Sequence, residues 1–371
     1  MAPALALLVA AVISAVLLQV TGNAPGRVFS VIFTKGLDRV YLVDTINRAA
    51  PYYISGVAVA IGFKMNLFNI GVEGQYRVAA LVAAWAGASF ALPGPFHVAA
   101  ILVVAVAVGA AWAAIPGVLK ATRGVSEVIS TIMLNAIAIG VGSYLLGNYF
   151  REPLGRSPVV GTRPLDRSGR LPSLNGLLGH VGVEIPAANR LQSYVFVALA
   201  VGIVYQVVLW RSRFGFDLRA TGSNPEAAEA SGVNAKRMIV IAMIFSGGVA
   251  GLVGLNNIMG EAGRYTDVSV VSGLGFTGIA VALLGRNHPV GIAFGALLWG
   301  FMDAVQTPLS NANLPKQITA ILQGVTVLSV VMAYEAVRRV RARREATALR
   351  GGGNDEPAGR GAGPEPEVAP A

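Results

Sequence analysis

Cysteine is absent from the 371-residue chain. That excludes disulfides, thiolate metal sites, lipid-modified cysteines and cysteine nucleophiles before any motif is considered. Charge is scarce as well. Asp, Glu, Lys and Arg make up 13% of the residues against 54% hydrophobic ones, too few to cover the surface of the soluble domains a chain of this length could hold. No Gly-x-x-x-x-Gly-Lys-[Ser/Thr] occurs, so the chain has no P-loop to cradle ATP phosphates, and any ATP chemistry must sit on another chain. The three histidines, His97, His180 and His288, share no metal-ligand spacing and read as surface or interfacial residues. No nucleophile, metal site or general base emerges, so neither catalysis nor a resident metal is expected.

What is present is a succession of uncharged apolar runs, and a run of about 18 residues or more is long enough to cross the hydrocarbon core. The bilayer is therefore the solvent. Runs bounded by charge or by Pro and Gly give about ten membrane segments on that criterion: Ala2 to Val20, Pro51 to Phe63, Arg77 to Leu92, Phe96 to Leu119, Val125 to Gly147, Ser193 to Trp210, Met238 to Met259, Val270 to Leu284, Val290 to Val305 and Ile318 to Tyr334. The first lacks the basic n-region of a signal peptide and reads as a retained helix. The expected fold is an all-α polytopic membrane protein.

The net charge of +10 does not point to nucleic acid. The basic residues lie in short loops and in one cluster after the last run, where anionic lipid headgroups are the better partner. Arg338, Arg339, Arg341, Arg343 and Arg344, and the group Arg211, Arg213, Arg219, Lys236 and Arg237, place their loops in the cytoplasm, and ten crossings then put both termini inside. The loop 148–192 falls outside despite its arginines, which long loops tolerate. It is long enough to form a short hairpin or helix over a pore mouth. The expected organisation is a transmembrane domain over 1–344, with a cytoplasmic loop at 211–237, and a disordered Gly/Pro-rich tail over 345–371.

Two segments break the apolar pattern. Lys64 to Gln75 inserts Asn66, Asn69, Glu73 and Gln75 with two glycines between apolar runs. One reading is a broken helix beside a solute path, a device transporters use for binding sites. The other is an ordinary turn between two helices. Val271 to Ala280 carries Gly273, Gly275 and Gly278 in the order Gly-x-Gly-x-x-Gly, but it follows no strand and meets no acidic residue at dinucleotide-site spacing. Close helix packing explains it better, and the same holds for Gly247 with Gly251 and Gly140 with Gly142. One interrupted segment per half also points to an inverted repeat. Glu73, Glu127 and Asp303 are the carboxylates within the runs. They are the candidates for proton or sodium coupling should the chain be a secondary transporter, although Glu127 and Asp303 sit near enough to segment ends for headgroup-level hydrogen bonding.

The loop 211–237 carries helix punctuation. Gly222, Ser223 and Asn224 form a turn, Pro225 suits the first helical position, Glu226 the first turn, and Gly232 can end the helix. Ala227, Ala228 and Ala230 allow close approach of a partner. The short helix suits docking, and the bland alternative is an unengaged connector.

The stretches Asn66-Leu-Phe-Asn-Ile-Gly-Val-Glu-Gly-Gln75, Gly124-Val-Ser-Glu-Val-Ile-Ser-Thr-Ile-Met-Leu-Asn135, Gly222-Ser-Asn-Pro-Glu-Ala-Ala-Glu-Ala-Ser-Gly-Val-Asn234 and Gly273-Leu-Gly-Phe-Thr-Gly-Ile-Ala-Val-Ala-Leu-Leu-Gly285 resemble the permeases of bacterial ABC importers. The superfamily is that of branched-chain amino acid and ribose permeases, in its nucleoside and simple-sugar branch. The resemblance implies a cytoplasmic-membrane permease without its own ATPase site. Its partners would be a second related permease, cytoplasmic ATP-binding subunits that hold ATP and Mg, and an extracytoplasmic solute-binding protein, often a lipoprotein. It implies that Gly222, Asn224, Ala227, Ala228 and Gly232 form a coupling helix on the ATPase, and that Asn66, Asn69, Glu73 and Gln75 lie at or near the translocation path.

Overall fold

The computed structural model describes residues 2–153, 159–180, 182, 185–186, 189–329, 332 and 339. The expected tail 345–371 and most of the basic cluster before it lie outside the described residues. Among the described residues the structure is helical, with three isolated bridges and no strand. In chain order the helices are α1 (Ala2–Val20), α2 (Pro25–Lys35), α3 (Arg39–Lys64), α4 (Val72–Gly87), α5 (Gly94–Arg123), α6 (Glu127–Leu145), α7 (Asn175–His180), α8 (Tyr194–Arg211), α9 (Arg213–Ser223), α10 (Pro225–Ala230), α11 (Ala235–Gly251), α12 (Leu255–Met259), α13 (Leu274–Leu284), α14 (Pro289–Ala304) and α15 (Gln306–Asn311). A further apolar helix, α16, covers Ile318–Ser329.

Among the described residues five stretches are long and apolar enough to cross a membrane: Gly94–Arg123, Glu127–Phe150, Tyr194–Arg211, Ala235–Met259 and Pro289–Asn311. Burial sorts the helices by role. From Val57 to Ile61 no side chain of α3 reaches the surface, so this stretch of α3 is apolar on all sides because it is surrounded by protein. By contrast α5, α6 and α8 expose Val103, Ile129, Ile132, Met133, Phe196 and Ile203. Such faces suit hydrocarbon and would be a liability in water. A separate cluster joins α1 and α2 to the stretch 305–322: Leu18, Val28 and Ile32 pack with Val305, Leu309, Leu314, Ile318 and Leu322.

Helices α5 and α11 meet through small residues. A Cβ on Gly109 would lie 2.3 Å from the Gly247 carbonyl oxygen, and one on Gly251 would lie 2.1 Å from that of Ala105. Backbone therefore touches backbone, the contact that drives helix association where the hydrophobic effect is absent. The expectation for Gly140 and Gly142 differs. A Cβ at Gly140 meets nothing within 4 Å, and at Gly142 only Leu81 at 3.9 Å, so α6 makes no close approach there within this chain.

The structure departs from the sequence reading at α3, at the run 238–259 and at His97. α3 begins at Arg39 rather than Pro51, because Arg39, Asp44 and Arg48 broke the apolar window while remaining helical. The run Met238 to Met259 is interrupted at 252–254, between α11 and α12. His97 is not a surface residue. Its ring is fully buried, with Nδ1 2.8 Å from Ser168 Oγ and Nε2 2.8 Å from the Gly87 carbonyl oxygen, pinning the 148–192 region to the α4–α5 corner. His180 and His288 are exposed.

Candidate functional site

The two interrupted segments, some 200 positions apart in sequence, meet in space. α3 ends in a left-handed Asn66 with φ of 57°. The Leu67 N–H then bonds the Gly62 carbonyl at 2.9 Å and the Asn66 N–H that of Phe63 at 3.1 Å, a Schellman closure with asparagine in place of glycine. The chain folds back along α3, so Asn69 lies beside Ser246, whose hydroxyl donates to the Ala58 carbonyl at 2.6 Å. α4 therefore starts level with the middle of α3, and α13 starts nearby, since Ser55 Oγ donates to the Leu274 carbonyl at 2.7 Å. The bend 65–71 thus runs back along α3.

Glu73 ties the two starts together. Its Oε1 accepts from Tyr76 Oη at 2.7 Å, Arg77 Nε at 3.0 Å and the Gly273 N–H at 2.9 Å, while Oε2 accepts the Gly275 N–H at 3.0 Å. A carboxylate in the first turn of α4 thereby caps α13, where backbone N–H groups have no helical partner and the helix dipole favours negative charge. Gly275 is glycine because a Cβ would stand 2.5 Å from Glu73 N, and Gly278 because one would stand 2.1 Å from Ser55 Oγ. Asn69 and Gln75 exchange amide hydrogen bonds at 3.0 and 2.9 Å. Asn135 of α6 accepts the Gly74 N–H at 2.8 Å and donates to the Ile70 carbonyl at 2.9 Å. Asn69, Glu73 and Gln75 are thus engaged within the frame, whereas Asn66 is exposed at its edge.

The other two carboxylates are also engaged. Glu127 takes Lys120 Nζ at 2.5 Å and the Phe68 N–H at 3.3 Å. Asp303 accepts from Tyr52 Oη, and from Gln306 and Gln323 Nε2 at 3.0 Å each.

Beyond the α4–α13 junction, toward the 148–192 region, lies a polar cavity of about 300 Å³ between α3, the 253–274 stretch and Asp303 of α14. Pro51 in α3 shapes its wall. Proline has no N–H to bond the carbonyl four residues earlier, and that carbonyl, of Asn47, instead accepts Asn256 Nδ2 at 3.0 Å. Asp44, Asn47, Arg48, Gln192 and Asn256 line the cavity. They were missed in the sequence, where the charges of 39–48 read as a boundary and the pair Asn256-Asn257 was passed over inside an apolar run. That pair was the available signal.

At the opposite end, α10 forms where its punctuation predicts. Asn224 Oδ1 accepts the Ala227 N–H at 3.1 Å, Pro225 opens the helix, and Gly232, at φ of 85°, closes it with Val233 N–H to the Ala228 carbonyl at 3.0 Å. Ala227 and Ala230 are exposed, but Ala228 is turned inward, so it packs on its own chain. Gly222 lets α9 seat on the end of α3, since a Cβ there would stand 2.3 Å from the Lys64 carbonyl oxygen. Arg219 lies 4.3 Å from the Trp210 ring centroid and Lys64 5.5 Å, which adds cation–π contacts to the same joint. Among the described residues no cluster of His, Asp and Glu could hold a metal ion.

Two helix starts that meet beside a polar cavity, in a chain with helices long and apolar enough to cross a membrane, are the arrangement of a membrane transport subunit. Residues 41–331 match the family described as branched-chain amino acid transport system, permease component, and the chain belongs to it. It is 33% identical over 341 residues to the guanosine ABC transporter permease protein NupP of Bacillus subtilis, covering 91% of this chain and 94% of that one. It is 30% identical to the glucose ABC transporter permease protein TsgB13 of Haloferax volcanii, covering 96% and 92%. With the nucleoside ABC transporter permease protein NupB of Lactococcus lactis the identity is 25%, covering 90% of each chain.

Proposed function

We propose that this chain is the permease subunit of an ATP-binding cassette importer that moves a nucleoside or simple sugar across the cytoplasmic membrane of a bacterium, with both termini inside. The observation that carries the reading is its family membership together with near full-length similarity to guanosine, nucleoside and glucose permeases. ATP and Mg would belong to separate ATP-binding subunits. A second related permease and an extracytoplasmic solute-binding protein would complete the assembly.

In this reading α10 is the coupling helix, presenting Asn224, Pro225, Glu226, Ala227 and Ala230 to the ATPase, with Gly232 fixing its end. Ala228 and Gly222 hold it to the body of the permease. Because Gly222 rests on the Lys64–Met65 backbone, displacement of α9 and α10 would reach the bend 65–71 directly. Asn66, Asn69, Glu73, Gln75, Gly273, Gly275 and Gly278 would frame the translocation path by fixing the α4–α13 junction beside it. The ion-coupled alternative has less support, since Glu73, Glu127 and Asp303 are each held by two or more donors. Uptake of labelled guanosine, ribose and glucose by cells carrying the complete assembly tests the reading. Uptake that requires ATP and is lost on deleting this chain is expected, and uptake that survives collapse of ATP but not of the ion gradient would sink it.

A further inference from the structure

The polar cavity between α3, the 253–274 stretch and α14 carries chemistry of its own. Its volume of about 300 Å³ is at the lower end of small-molecule sites. Its wall carries the carboxylates of Asp44, Glu261 and Asp303, the amides of Asn47, Gln192 and Asn256, and one cation, Arg48; of these Asp44, Glu261 and the Gln192 amide suit vicinal hydroxyls, Asp303 and Asn47 being engaged within the protein. Tyr52 adds an aromatic ring. Two of the lining amides are incomplete. Gln192 and Asn256 are 8% and 7% exposed, and the carbonyl oxygen of each is buried without a hydrogen-bond partner. Buried acceptors in this state are uncommon and costly, and each calls for an explanation. Both residues are otherwise anchored locally, Asn256 through Nδ2 on the Asn47 carbonyl and Gln192 through its backbone N–H on Asn47 Oδ1 at 2.9 Å. Both line the cavity, and the broad terminal torsion of an amide lets the Gln192 oxygen, whose side chain makes no such bond, turn toward a solute there.

We infer that this cavity is a transit site, within this chain, for an uncharged hydroxyl-rich solute of pentose or nucleoside size, and that it rejects the corresponding phosphate ester. The inference rests on the importer reading. Solute hydroxyls donate to Gln192 Oε1 and Asp44, which removes one of the two unpaired acceptors. Three lining carboxylates against one arginine oppose a phosphate group, whose charge is the same sign.

The test is equilibrium dialysis of labelled uridine, ribose and uridine monophosphate against the full chain in nanodiscs, with its co-purifying subunits and without the external binding protein. Saturable binding of uridine or ribose is expected, with the monophosphate at least about tenfold weaker. Gln192→Met keeps the backbone bond to Asn47 and removes only the side-chain amide. It should weaken the neutral solute by about tenfold with an unchanged melting temperature, and Asp44→Asn should narrow the gap between nucleoside and monophosphate. No saturable binding, equal binding of the monophosphate, or wild-type affinity in a folded Gln192→Met would each overturn the inference. Should Gln192→Met fail to fold, the comparison of uridine with its monophosphate on the wild-type chain decides. Failure of an ATPase to co-purify would count against the importer reading alone, because solute binding is read on this chain.

Discussion

Replacing Glu73 by Gln keeps the shape of the side chain and removes one acceptor and one charge. The carboxylate accepts four hydrogen bonds, three at Oε1 and one at Oε2. A glutamine would place its oxygen where three donors converge and its NH₂ against the Gly275 N–H, leaving that buried donor unpaired at about 1–3 kcal/mol. Arg77, whose side chain is 18% exposed, would face a neutral oxygen in place of the carboxylate, the difference between a charged and a neutral hydrogen bond of about 1–1.5 kcal/mol. The capping of α13 would weaken too, so the variant should lose roughly 3–5 kcal/mol of stability. Reversible unfolding of purified wild type and Glu73→Gln in mixed micelles reads the difference. Gly275→Ala should approach it, because its Cβ would stand 2.5 Å from Glu73 N and must force the same junction apart. A Glu73→Gln variant within about 0.5 kcal/mol of wild type, with solute affinity altered instead, would refute the junction argument and make Glu73 a solute ligand.

Asn135→Leu strands the Gly74 N–H and the Ile70 carbonyl together and should cost roughly 2–4 kcal/mol in the same unfolding assay; a neutral result would mean that α6 does not hold the bend 65–71. Gly247→Leu meets Ala113 Cβ, already 2.2 Å from where the first added carbon would stand, and should yield aggregated rather than monodisperse protein on size exclusion. Gly232→Pro removes the left-handed closure of α10, and Ala227→Arg alters only its exposed face. Both should insert normally yet lose solute-stimulated ATP hydrolysis, and normal uptake by either would remove the coupling assignment.

The elements that could be read from the sequence are those where a residue type carries a local rule. α10 is one, since Asn224, Pro225 and Gly232 each obey a capping preference whatever surrounds them. The break at 65–71 is another, because Asn69, Glu73 and Gln75 are out of place in an apolar run. What the sequence does not carry is who meets whom. Glu73 and Gly275 lie 202 positions apart, and no local pattern pairs a carboxylate with that helix start. Orientation was equally hidden where all faces of a helix look alike: Ala227 and Ala228 are identical residues, and only packing tells that one faces out and the other in. The cavity escaped for a third reason. Asn256 answers a carbonyl freed by Pro51 on another helix, so its role depends on a proline far away in the chain.

The proposed coupling makes this permease dependent on separate ATP-binding subunits engaged through α10. The most direct measurement is purification of the tagged full-length chain from mild detergent, beside its Ala227→Arg variant, followed by assay of nucleoside-dependent ATP hydrolysis in what co-purifies. An ATP-binding subunit and a second permease accompanying the wild type, with stimulated hydrolysis that the variant lacks, is the expected result. A chain that purifies alone, carries no ATPase and still moves solute across vesicle membranes would contradict it.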